Sequence, residues 1–186
     1  MSNFVQDLQD ASNAAEELRK NVKSDDEERR HREQRQEAQL VAEVYRILRG
    51  NGYNSEELFM EYLYKPITVN GMTRKLKPDL IYENEGADEV VEFRVFWEGD
   101  LFKNSSSING TAQRIVQEYY QKVMLYQLLP RRIASVSLVF AYLGPEKLTD
   151  GYNFSPAQFS ASVLEPIRME LKSANRKKVP IGVIVS

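Results

Sequence analysis

Residues 89–97, Glu-Val-Val-Glu-Phe-Arg-Val-Phe-Trp, restrict the fold more than any other stretch of the chain. Side chains alternate along a β-strand, so Val91, Phe93 and Val95 share one face while Val90, Glu92, Arg94 and Phe96 share the other. Apolar residues on both faces need cover on both faces. That is the condition of an inner strand in an α/β protein, not of a hairpin with one side in water. Glu92 and Arg94 interrupt the apolar set from the same face. A carboxylate inside such a strand is costly unless a cation or a metal ion matches it.

The flanking sequence supplies the cover. Leu40, Val41, Val44 and Leu48 recur at helical spacing in a segment that starts at Gln34 and ends at Gly50-Asn51-Gly52. Residues 58–69 read as a strand. Asn70-Gly71 reads as a type I′ hairpin turn, since both of its central positions need positive φ. Residues 72–82 return as a second strand, and 83–88 form a polar turn before the strand at 89–97. A polar loop follows, then a helix over 111–129 stopped by Pro130. A strand over 135–143, a helix over 156–175 and an apolar strand over 179–185 complete the chain. The expected fold is α/β: a mixed central sheet flanked by helices, with a core order of helix, three strands, helix, strand, plus an N-terminal helical extension.

Residues 1–33 are expected to be a charged helical arm or disordered extension, ahead of a domain over 34–186. Residues 24–35 are nearly all charge, with acids preceding bases at helical spacing. Val5, Leu8, Ala15 and Leu18 make a thin apolar stripe there. It can pack on the main domain or on a second chain, so a homodimer formed through the arm is one expectation.

Composition removes several chemistries. Cysteine is absent from the 186 residues, which excludes disulfides, thiolate metal sites and cysteine nucleophiles. The single histidine, His31, sits in the charged run, so neither Ser-His-Asp catalysis nor a poly-histidine metal site is expected. Any metal must be held by oxygen, which selects hard cations such as magnesium or manganese. The net charge of −2 and pI near 5.6 give no bulk attraction to phosphate, so a nucleic-acid partner has to be argued from a local site. No apolar run is long enough to span a bilayer, no signal peptide is visible, and a cytoplasmic location is expected.

Asp79 interrupts the strand before Glu92, and an antiparallel return brings the two together. Two carboxylates about 4 Å apart repel by roughly 4 kcal/mol at an effective dielectric of 20, a penalty that a divalent cation converts into binding. The competing reading is an internal salt bridge in which Arg94 neutralises Asp79 or Glu92.

The pattern Pro78-Asp79, twelve residues, Glu92-Phe93-Arg94 resembles the PD-(D/E)XK nuclease superfamily, and the expected element order extends that resemblance over residues 34–143. The resemblance implies a metal-dependent nuclease acting on nucleic acid, with DNA the expected substrate. Asp79, Glu92 and the main-chain carbonyl of Phe93 would hold magnesium or manganese. Arg94 stands where the family usually has lysine; arginine keeps the charge but stays protonated. A catalytically weak or inactive subunit that binds nucleic acid or a protein partner is therefore the alternative. The family often carries a glutamate on its first core helix. Glu37 lies on the apolar stripe of that helix here, as a further ligand, a water-positioning group or simply a first-turn glutamate. Gln117 on the following helix is a candidate substrate contact, as are Arg74 and Lys77 before the motif and Lys103 in the loop after it.

Overall fold

The computed structural model describes residues 3–20, 29–97, 108–143, 155–174 and 181–185. Two helices, α1 (Phe4–Lys20) and α2 (Arg29–Gly50), lead into four strands: β1 (Leu58–Met60), β2 (Ile67–Val69), β3 (Met72–Arg74) and β4 (Leu80–Asn84). Then come β5 (Ala87–Trp97), α3 (Ile108–Tyr126) and β6 (Ile133–Leu143). Helix α4 (Pro156–Phe159) runs through a π-helical turn (Ser160–Leu164) into α5 (Glu165–Ala174), and β7 (Ile181–Val185) ends the chain.

The main sheet has the order β1-β4-β5-β6-β7, and β2 and β3 form a separate hairpin. Strands β1, β4 and β5 pair antiparallel, while β5, β6 and β7 pair parallel, so the sheet is mixed as expected. Parallel neighbours cannot be joined by a tight turn; α3 makes the crossover from β5 to β6, and α4 with α5 makes the one from β6 to β7. The two faces of β5 enter different cores. Val91, Phe93 and Val95 pack with α1 and α2, together with Val139 and Ala141 of β6. Val90 and Phe96 pack with α3, α5 and the π turn, together with Val136, Leu138 and Phe140.

The structure departs from the sequence reading in places, each with a local cause. The expected strands over 58–69 and 72–82 are both broken. Pro66 lies between β1 and β2, and Pro78 between β3 and β4, and a proline has no N–H for the ladder. Looser backbone contacts hold the two broken stretches together: Tyr64 N–H donates to Leu76 O at 3.0 Å and Glu61 N–H to Asp79 O at 3.1 Å. The turn before β5 is two residues, Glu85 and Gly86, both at positive φ, so β5 starts earlier than expected. Asn70 and Gly71 adopt the positive φ values that a type I′ turn needs.

Helix α1 is packed, not extended. Phe4, Leu8, Ala11 and Ala15 are buried in the core shared by α2 and the sheet, while Val5 from the expected stripe is 37% exposed. Phe4 stacks on Tyr82 with centroids 4.7 Å apart, and the Tyr53 hydroxyl donates to Asp7 Oδ2 at 2.5 Å. The stripe therefore docks on the chain's own domain, one of the two options open to it. Among the described residues, no helix is long and apolar enough to cross a membrane.

Candidate active site at the parting of two strands

The register of β4 against β5 ends with Leu80 opposite Val91. Carried on by one residue it sets Asp79 opposite Glu92, and by two it sets Pro78 opposite Phe93. In an antiparallel ladder, hydrogen-bonded and non-bonded pairs alternate, and side chains approach most closely in the non-bonded pairs. The two-residue turn makes Asn84 and Ala87 a bonded pair. Counting back, Asp79 and Glu92 fall on a non-bonded position and Pro78 on a bonded one. Proline cannot donate to the carbonyl of Phe93, so the ladder fails there and β4 leaves β5.

The edge groups of β5 left behind are taken by side chains. Phe93 N–H donates to Asp79 Oδ2 at 2.7 Å, and Val95 N–H donates to Glu37 Oε2 at 3.2 Å. Two carboxylates thus replace backbone carbonyls along the gap. The carbonyl of Phe93 opens on the same gap, and among the described residues its one side-chain donor is the Tyr119 hydroxyl, at a long 3.4 Å.

Glu92 points to the other core and is 2% exposed. Lys122 Nζ lies 2.9 Å from its Oε2, and the Tyr126 hydroxyl donates to Oε1. Burial, then the charge of Glu92, raises the Tyr126 hydroxyl far above the usual tyrosine range and keeps it a donor. Lys122 also lies 5.3 Å from the Tyr119 ring centroid, and its side chain is 39% exposed. Both side chains come from α3, where Tyr119, Lys122 and Tyr126 share a face at i, i+3 and i+7.

Asp79 is held differently. Among the described residues no cation lies within ion-pair distance of it, and Phe93 N–H is its one hydrogen-bond donor. Burial, and next the charge of Glu92, push its carboxyl up to about 6. Glu37 is raised as well, by desolvation first, partly offset by Val95 N–H, with Asp79 adding repulsion. Arg94 is half-buried, with its guanidinium carbon 5.7 Å from the Phe96 ring centroid, and no carboxylate among the described residues is within ion-pair distance of it. The internal salt bridge weighed from sequence, Arg94 on Asp79 or Glu92, does not form. Lys122 takes Glu92, and among the described residues Asp79 and Arg94 stay unmatched.

The structure therefore gathers Glu37, Asp79, Glu92, Phe93 and Arg94 at one gap. Glu37 lies more than two turns into α2, because that helix starts at Arg29, so the first-turn explanation for it fails. The other candidates are elsewhere. Gln117 is exposed on the far side of α3 from Lys122. Lys77 pairs with Glu61 at 3.1 Å on the surface, and Arg74 sits on the separate hairpin. Lys103 lies outside the described residues. Lys122 and Tyr126 are the site groups that the sequence reading missed.

The described residues contain no group of three His, Cys, Asp or Glu side chains able to hold a metal ion. Magnesium asks for less, since it retains several waters and is often bound through one or two carboxylates. Asp79, Glu92 and the Phe93 carbonyl, all oxygen and one of them an unmatched carboxylate, fit such an ion. Comparison with protein-family models, with curated proteins and with solved structures found no match to this chain.

Proposed function

We propose that the chain is a magnesium- or manganese-dependent nuclease that hydrolyses phosphodiester bonds, with DNA as substrate. The observation carrying this reading is Asp79: a half-buried carboxylate beside Glu92, raised in pKa and with no cation within ion-pair distance among the described residues. A buried carboxylate at the start of β5 is held differently. Asp88, 1% exposed, receives Arg131 Nε at 2.7 Å and the Tyr64 hydroxyl at 2.6 Å. Among the described residues Asp79 has no cation within ion-pair distance, and its hydrogen-bond donor is the Phe93 N–H.

In this reading Asp79, Glu92 and the Phe93 carbonyl would hold the cation, whose chemistry when bound would be to acidify a water and offset charge on the phosphate. Tyr126 fixes the orientation of Glu92 by donating to one oxygen, as outer groups commonly do for metal-ligating carboxylates, while Lys122 neutralises the other oxygen until a cation takes its place. Lys122, partly in solvent, can withdraw when another cation approaches Glu92. Glu37 is anchored through Oε2 and keeps Oε1 to orient water or accept a proton, its raised pKa making it a better base than an ordinary glutamate. Arg94, always protonated, offers a fork of donors to phosphate oxygens.

The test is plasmid nicking and single-strand degradation with manganese. Wild type is expected to cut, and Asp79→Ala and Glu92→Ala to be inactive. Arg94→Lys is expected to change the rate only modestly, because Lys122 already supplies an amine. Cleavage that survives both alanine changes would refute the assignment. One contact favours a second reading, a subunit that binds nucleic acid without cutting: Lys122 already neutralises Glu92. Retained DNA binding in a gel shift, with no cleavage by wild type or Arg94→Lys, is its signature.

A further inference from the structure

The outer face of α3 and the β2–β3 hairpin enclose a cleft of ≈ 460 Å³ that the site above does not use. Its walls include Met72 and Arg74 on the hairpin and Tyr120, Gln121, Met124 and Leu128 on the helix. Met72 and Leu128 are 53% and 55% exposed and Tyr120 is 36% exposed, so the cleft presents apolar side chains to solvent. The cleft starts close to the candidate site. Its wall residue Leu125 is three positions after Lys122 and therefore its neighbour on the helix surface.

The lining has a definite chemistry. Among the described residues Arg74 is its one charged side chain, and no carboxylate lines it. Among the described residues the one hydrogen bond of the Arg74 side chain is weak, Nη2 to Met72 Sδ at 3.8 Å, and it makes no ion pair. Asn70 and Gln121 add amides that both donate and accept, and Tyr120 adds a ring face. An apolar cleft with an aromatic ring, amides for an edge and one cation for a phosphate matches a nucleotide whose base is out of the stack. Aromatic stacking with edge hydrogen bonds is how unpaired bases are held, and a paired base offers neither face nor full edge.

We infer that this cleft binds an unpaired base of a nucleic-acid strand, so that the neighbouring site acts on single-stranded nucleic acid. The inference rests on the nuclease reading, and its test is separable from that reading because binding is measured without cleavage. Full-length protein in EDTA is titrated against a short fluorescein-labelled oligothymidylate and against a blunt duplex, with anisotropy as the readout. The single strand is expected to bind at least about tenfold more tightly than the duplex, and Tyr120→Ala to weaken it by about tenfold, the usual scale for one stacked base. Tyr120→Phe, which keeps the ring, should bind like wild type, and Gln121→Glu, which adds a like charge to the phosphates, should bind more weakly.

Equal affinity for strand and duplex, or Tyr120→Ala binding like wild type, would overturn the cleft assignment. It would leave the nuclease reading standing if manganese-dependent cleavage still requires Asp79. A fall in the mass by light scattering in Tyr120→Ala or Leu128→Ser would also overturn it, by showing that a second copy of the chain covers the cleft.

Discussion

At Asp79 two effects act on one carboxylate in the same direction: loss of water, and the negative charge of Glu92 across the non-bonded pair. A raised pKa means that the folded state prefers the protonated form. The associated stability is fully present below the ordinary aspartate value of 3.8 and is lost as pH rises through about 6. A rise from 3.8 to about 6 corresponds to about 3 kcal/mol. Without metal, Asp79→Asn should therefore be more stable than wild type above about pH 6 by up to that amount, and the difference should vanish near pH 4. Urea unfolding of both proteins across this range checks it; a constant difference would show that Asp79 is not desolvated in this way. Lys122 gives a second residue-level test. Lys122→Met leaves Glu92 buried with Tyr126 alone and should cost about 2 kcal/mol, below the roughly 3–5 kcal/mol of a fully buried pair because the amine is partly solvated. Millimolar manganese should restore part of that loss, and an unrescued variant would argue that no ion binds at Glu92. The alternation of residues 89–97 made Glu92 and Arg94 legible from sequence, and the preceding proline-aspartate made Asp79 legible. Lys122 and Tyr126 were not, because nothing in a helix sequence alone says which face docks. The signal was Ile115, Tyr119, Lys122 and Tyr126 on a single stripe, whereas Gln117 points the other way.

Elements were legible where a periodicity or a turn residue spoke for itself. The Asn70-Gly71 turn, α2, the inner strands and the crossover helix follow from such patterns. The breaks did not follow, although Pro66 and Pro78 are visible in the sequence, because an alternating pattern runs on through them. The second break matters most: it ends the β4 ladder opposite Phe93 and creates the gap. Helix α1 was obscured by its neighbour. The charge run after it suggested a solvated arm, while its buried set, Phe4, Leu8, Ala11 and Ala15, is rotated from the stripe read in sequence. Phe4→Ala should cost about 3–5 kcal/mol and Leu8→Ala about 2–5 kcal/mol, the ranges for truncating these side chains when buried. Denaturant midpoints measure this, and losses below about 0.5 kcal/mol, the scale of surface substitutions, would mean that α1 is not docked.

For the whole molecule, docking of α1 changes what truncation should do. Removal of residues 1–20 would uncover the α2 face and one side of the central sheet. The truncated protein should therefore lose cooperative unfolding, not merely change its mass in light scattering. A truncated chain that unfolds with the wild-type midpoint but elutes as a smaller species would instead identify α1 as an assembly arm. The acidic balance of the chain, −2 overall, gives it no general hold on phosphate. Any hold must come from local charge: three carboxylates against two cations at the gap, with Asp79 and Arg94 unmatched among the described residues. Everything proposed for the gap requires Asp79 and Glu92 to share one hard cation, and calorimetric titration of the full-length protein with manganese reads that out. One saturable binding event is expected, disappearing in Asp79→Asn and in Glu92→Gln, and tightening in Lys122→Met as the competing amine is removed. The absence of binding heat from wild type, or the same isotherm from wild type and Asp79→Asn, would contradict a shared cation.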